Sequence, residues 1–100
     1  MRGGDGSVAA LKLLSEGEFC PNFRLFSIMT LKPGCSIGPH SHSMETEYYY
    51  ILSGSGIVSE ADGEKAVRKG DLVITGGGAS HAIRNSGNED LIFLAAIITE

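Results

Sequence analysis

The sequence predicts an all-β fold, a small antiparallel barrel or jelly roll formed by one domain. Two compositional observations and one of pattern predict it. One hundred residues suit a single compact unit, and 42% apolar with 20% charged residues is an ordinary globular balance. Glycine supplies 14 of the 100 residues, about twice its usual ~7% share, with no Gly-X-Y period, so the excess marks tight turns. Eight or nine short runs of β-branched and aromatic residues follow one another closely, and no helical pattern longer than one turn interrupts them.

In chain order, residues 1–7 are Gly-rich and predict a mobile start, with one domain over 8–100. Val8–Leu14 is apolar but too short for periodicity to separate a strand from a helical turn. Gly17 and Pro21 break the chain before Phe23–Leu31, a strand stopped by Pro33-Gly34. Glu47–Leu52 is a strand stopped by Ser53–Gly56. Strict alternation there points Glu47, Tyr49 and Ile51 inward and Tyr48, Tyr50 and Leu52 outward. Ile57–Glu60 and Glu64–Arg68 flank Asp62-Gly63, which predicts a type I′ hairpin turn with positive φ at both central residues. Lys69–Asp71 is a turn, Leu72–Thr75 a strand, Gly76–Gly78 a loop and Ser80–Arg84 a strand. Asn85–Asn88 is a polar turn before the last strand, Leu91–Ile98.

Several function classes are disfavoured. A net charge of −4 with scattered basic residues is a poor electrostatic footprint for nucleic acid or an anionic membrane. No apolar run approaches the ~18–20 residues of a membrane span. The first residues lack a signal-peptide pattern, which predicts a cytoplasmic chain. Cys20 and Cys35 read as thiols that pack as small apolar residues.

The three histidines carry the chemistry. His40 and His42, one residue apart, share a face if they lie on a strand; Glu47 follows a bend, and His81 follows a glycine turn. Neutral imidazoles with a carboxylate form a common mixed ligand set for a divalent transition metal. Gly34-x5-His40-x-His42-x4-Glu47-x6-Gly54 and Gly70-x5-Gly76-x-Gly78-x2-His81-x3-Asn85 resemble the two motifs of the cupin superfamily. Only Gly76, where the motif has proline, departs from them. From residue frequencies the first motif alone would arise in roughly one frame in a million.

The resemblance implies a conical double-stranded β-helix with a metal at its centre. Its ligands would be His40, His42, Glu47 and His81, and its ion manganese, iron, nickel, cobalt or zinc. It implies a small oxygen-rich substrate, a carboxylate or keto-sugar, handled by decarboxylation, isomerisation or dioxygenation. Small cupins with one motif pair resemble single halves of oxalate-decarboxylase-like proteins, which leans toward carboxylates. The competing expectation is a metal-dependent binding module without turnover.

No histidine is left over for proton transfer. Glu45, two residues before Glu47, is the candidate acid or base, set against the commoner reading of a solvated loop carboxylate. Tyr49 would face the ligands and orient substrate, set against simple packing. Arg24 would meet a substrate carboxylate if its strand turns it inward. Asn85 would cap the turn after the His81 strand. Gly76 makes the loop before His81 more permissive. Outward Tyr48, Tyr50 and Leu52 and the apolar segment Val8–Leu14 leave apolar surface uncovered, and the resemblance implies a homodimer formed by packing outer faces or by exchanging an N-terminal strand.

Overall fold

Short alternating strands bury one face each, so they pair into two sheets whose inner faces make a common core. The computed structural model describes residues 4, 6, 8–15, 18, 22–41, 44–76 and 79–99, the side chains of 39–41 excepted. Among the described residues nine strands follow in order: β1 Val8–Lys12, β2 Phe23–Leu31, β3 Ser36–Ser41, β4 Glu45–Ser53, β5 Ser55–Glu60, β6 Gly63–Arg68, β7 Leu72–Gly76, β8 Ser80–Arg84 and β9 Leu91–Thr99. One sheet runs β1-β2-β9-β4-β7 and the other β3-β8-β5-β6, and the paired strands are antiparallel. No described helix is long and apolar enough to cross a membrane.

The register stacks the interior in layers. Met29, Phe93 and Ile51 face one another across β2, β9 and β4, and all three are buried. Ser27, Ala95, Tyr49 and Val73 form the next row, with Val73 only half-buried. Leu25, Ile97, Glu47 and Thr75 form the row after that. Ile37, Ile83 and Val58 close the core from the opposite sheet. Each fully buried large aliphatic or aromatic side chain contributes about 1.5–3 kcal/mol of transfer free energy. Apolar layers therefore fill one end of the barrel, and polar groups enter only toward the other.

The expected alternation in β4 holds: Glu47, Tyr49 and Ile51 are buried, whereas Tyr50 is exposed. Val8–Leu14 resolves as a strand to Lys12, after which Leu13 N–H donates to the Phe26 carbonyl at 2.9 Å. The hairpin at Asp62-Gly63 forms, but not as type I′. Its two-residue loop is Ala61-Asp62; both keep negative φ, and Gly63, at φ 128°, opens β6. The glycine takes the positive φ one step later than a type I′ turn requires. Gly76 belongs to β7 rather than to a loop, opposite Thr46.

Gly54 has φ 82°, and a Cβ there would meet the Asp90 carbonyl oxygen at 2.3 Å, so its two constraints reinforce each other. The expected mobility of residues 1–7 falls mostly outside the described residues. Of that stretch, Gly4 lies against the Ser36 backbone and Gly6 against Cys35. Cys35 is a free thiol packed against the core, and Cys20 lies outside the described residues.

Candidate functional site

The site sits where the layered core turns polar. Glu47 on β4 and His81 on β8 come from opposite sheets and meet inside the barrel. Glu47 Oε1 lies 2.6 Å from His81 Nε2, and both side chains are almost wholly buried. Burying a carboxylate and an imidazole is costly unless they are paired or hold a metal. The Tyr49 ring stacks on the His81 ring, with centroids 4.9 Å apart and planes at 14°, which fixes the imidazole's orientation. Phe93 packs against Tyr49, with ring centroids 4.7 Å apart and planes at 54°. Tyr49 is thus both packing and site wall.

A cavity of about 250 Å³ opens beside this pair. Its walls include Glu47 and Tyr49 from β4, Ser27 and Arg24 from β2, and Lys12 from β1. His81 touches two of those side chains, Glu47 and Tyr49. Lys12 and Arg24 give this small, otherwise largely apolar cavity two groups able to pair with a compact anionic ligand, although Glu47 and the Glu45 on Arg24 balance their charge.

Four metal ligands were expected, and the described residues bring two of them together. His40 on β3 is the register partner of His81 on β8, so its backbone is beside the site. The His40 side chain and all of His42 lie outside the described residues, as does Gly78. Among the described residues no group of three or more His, Cys, Asp and Glu side chains converges. The donor chemistry of Glu47 and His81 nevertheless fits a divalent ion: an imidazole nitrogen and a carboxylate oxygen, buried and facing each other.

Glu45 does not stand as a solvated loop carboxylate. It opens β4 and holds Arg24 through both oxygens, Nε to Oε2 at 2.5 Å and Nη2 to Oε1 at 3.1 Å. Arg24 points to the cavity because the β2–β9 register shifts between Phe23 and Leu25, a bulge that re-aims the intervening side chain.

Lys12, Ser27 and Thr75 were not anticipated. Lys12 is the register partner of Ser27, which is buried, so the strand edge brings a cation to the cavity. Thr75 is buried opposite Glu47, and its Oγ1 has no hydrogen-bond partner among the described residues. The available signal was parity, but parity reads as facing only once strand pairing is known.

Asn85 is structural, as expected. Its Nδ2 donates to the Leu31 carbonyl at 2.8 Å and the Glu89 carbonyl at 2.7 Å, and its Oδ1 accepts from Gly87 N–H at 2.9 Å.

The comparisons agree with this architecture. The family described as "Cupin domain" matches residues 27–97. An oxalate-binding protein from Thermotoga maritima is 46% identical over 98 residues, covering 98% of this chain and 81% of that protein. The crystal structure of a predicted oxalate decarboxylase from Thermotoga maritima superposes with a TM-score of 0.97 at 45% identity, covering 100% of this chain and 87% of that one. A cupin domain from Schizosaccharomyces pombe shares the fold at 18% identity and a TM-score of 0.84, covering 97% of this chain and 68% of that one. Motifs, barrel and relatives converge, and the chain belongs to the cupin family.

Proposed function

We propose that this chain is a metal-dependent cupin that binds a small carboxylate, with oxalate the first ligand to test. The observation that carries the reading is the buried Glu47–His81 pair beside a cavity that also presents Lys12 and Arg24. The similarity to an oxalate-binding protein at 46% identity supports the ligand class.

His40, His42, Glu47 and His81 would hold the ion. A divalent ion bound there supplies Lewis acidity, polarising carboxylate oxygens. The chain's own residues do the rest. Lys12 and Arg24 add fixed positive charge to the cavity wall. Tyr49 stacks on the His81 ring and Phe93 packs against Tyr49 behind it. The working unit is a homodimer.

An enzymatic extension has a specific observation behind it: Glu45 sits within the polar end of the barrel, attached to a cavity residue. In that extension Glu45 moves the proton and Tyr49 orients the substrate. Glu45→Gln would then lower kcat by roughly 10²–10⁴ on any substrate that turns over. Unchanged kcat would remove Glu45 from proton transfer.

The test of the main reading loads the purified chain with manganese, iron, nickel, cobalt or zinc in turn. Bound metal is measured by mass spectrometry, and oxalate and a panel of small carboxylates and keto-sugars are titrated by calorimetry. His81→Ala should reduce bound metal by about tenfold or more. Full metal occupancy in His81→Ala would overturn the ligand assignment. Failure of every carboxylate to bind any metal-loaded form would overturn the ligand class.

A further inference from the structure

We propose that Arg24 is the residue that recognises the ligand carboxylate, and that Glu45 is its resting counter-ion, displaced when the ligand binds. This rests on the carboxylate reading above and assigns its recognition to one pair.

Three observations point to it. The bulge between Phe23 and Leu25 spends a ladder position in β2 and brings Arg24 to the cavity, where it lines the same wall as Glu47 and Lys12. Glu45 engages the guanidinium by two roughly parallel N–H···O bonds, the fork geometry with which arginine takes any carboxylate. Glu45 therefore occupies the place a ligand carboxylate would take. Both partners are only partly buried, with 35% of the Arg24 and 15% of the Glu45 side-chain surface exposed. The swap then needs side-chain rotation at the strand end, not movement of the core.

A ligand anion approaching Arg24 meets the negative charge of Glu45 at contact range. A ligand carboxylate taking the Nε/Nη2 edge competes with Glu45 for the same donors, and the two like charges repel there, so binding at that edge displaces Glu45. The internal carboxylate keeps the cation paired while the cavity lacks its ligand, and it raises the affinity a ligand must have. That makes the pair a filter: neutral molecules cannot displace Glu45, and small carboxylates can.

The experiment is a double-mutant cycle on oxalate affinity, measured by calorimetry on the metal-loaded chain and expressed per metal bound. Glu45→Gln should tighten oxalate by about tenfold, a gain that a misfolded variant cannot imitate. Arg24→Gln should weaken it by about tenfold or more, and Arg24→Lys, which keeps the charge but loses the fork, should restore only part. In the Arg24→Gln background, Glu45→Gln should bring no gain. A gain that persists without Arg24 would mean simple repulsion and would overturn the exchange. Equal or weaker binding in Glu45→Gln would also overturn it while leaving the carboxylate reading intact. If the wild-type chain binds no carboxylate at all, the carboxylate reading falls, and the exchange falls with it.

Discussion

Asn85 shows how much one side chain can fix. It joins the end of β2 to the turn before β9, through Leu31 and Glu89, and closes its own turn onto Gly87. Its backbone adds more, with N–H donating to the Cys35 carbonyl at 3.0 Å and the carbonyl accepting from Gly34 N–H at 3.3 Å. Asn85→Ala would leave the Leu31 and Glu89 carbonyls without these side-chain donors, and should cost about 2–3 kcal/mol. Urea denaturation with an unchanged slope would read that loss, and a cost below about 0.5 kcal/mol would contradict the account. The role was legible because a polar residue two steps before a glycine, at the end of a strand, is a turn signal. The buried Glu47–His81 pair was legible for a similar reason: both positions belong to the histidine and glutamate spacing that resembles the cupin motifs. Arg24 and Lys12 were not legible as a pair of cavity cations. Facing at Arg24 depends on a bulge, and facing at Lys12 depends on its partner strand.

Strands were readable where β-branched and aromatic residues run between turn residues; Leu91–Thr99 carries no hydrophobic period of two. β2, β4 and β9 are the clearest, and they form the centre of one sheet. β3 was not delimited, since Gly38 and Pro39 interrupt it and its residues at 36 and 41 are serines. The sheet order was out of reach, because β2 pairs β9 across most of the chain and no local pattern encodes that contact. Between elements, the outer face of the smaller sheet carries a polar ladder. Glu64 on β6 accepts from Arg84 Nη1 on β8 at 2.7 Å and from Ser59 Oγ on β5 at 3.2 Å, tying three strands. The Arg84 hydrogen bond, with help from Ser59, holds the Glu64 carboxyl below its ordinary value. A lowered carboxyl contributes stability above the ordinary carboxylate range and loses it as pH falls through the folded value. The pair is solvent-exposed, so the contribution is small and weakens with salt. In an NMR titration, Arg84→Gln should move the Glu64 midpoint upward, and an unmoved midpoint would refute the ladder.

At the scale of the whole molecule, the two outer faces differ in kind. The smaller sheet shows water the Ser59–Glu64–Arg84 ladder. The five-stranded sheet shows it Leu11 at 60% exposure, Leu72 and Ile74 at 56% each, and Tyr50 at 44%. These side chains lie on β1, β7 and β4, so the apolar face runs from one edge of the sheet to the other. Three nine-residue strands about 30 Å long and two five-residue edge strands about 17 Å long, at ~4.8 Å spacing, give a face of roughly 600 Å². That is at the low end of the ~600–1,000 Å² per partner of a standard stable interface. A second copy offers the same face, so a two-fold pairing would cover both patches at once, which a heterologous contact would not. The proposed homodimer therefore uses this sheet, leaving the charged face in solvent. Sedimentation at micromolar concentration should give twice the chain mass. Ile74→Lys puts a charge in the patch on a side chain already exposed, so the barrel should stay folded by circular dichroism while the mass halves. A wild-type monomer would overturn the homodimer. A dimer that survives Ile74→Lys unchanged would move the interface off this sheet.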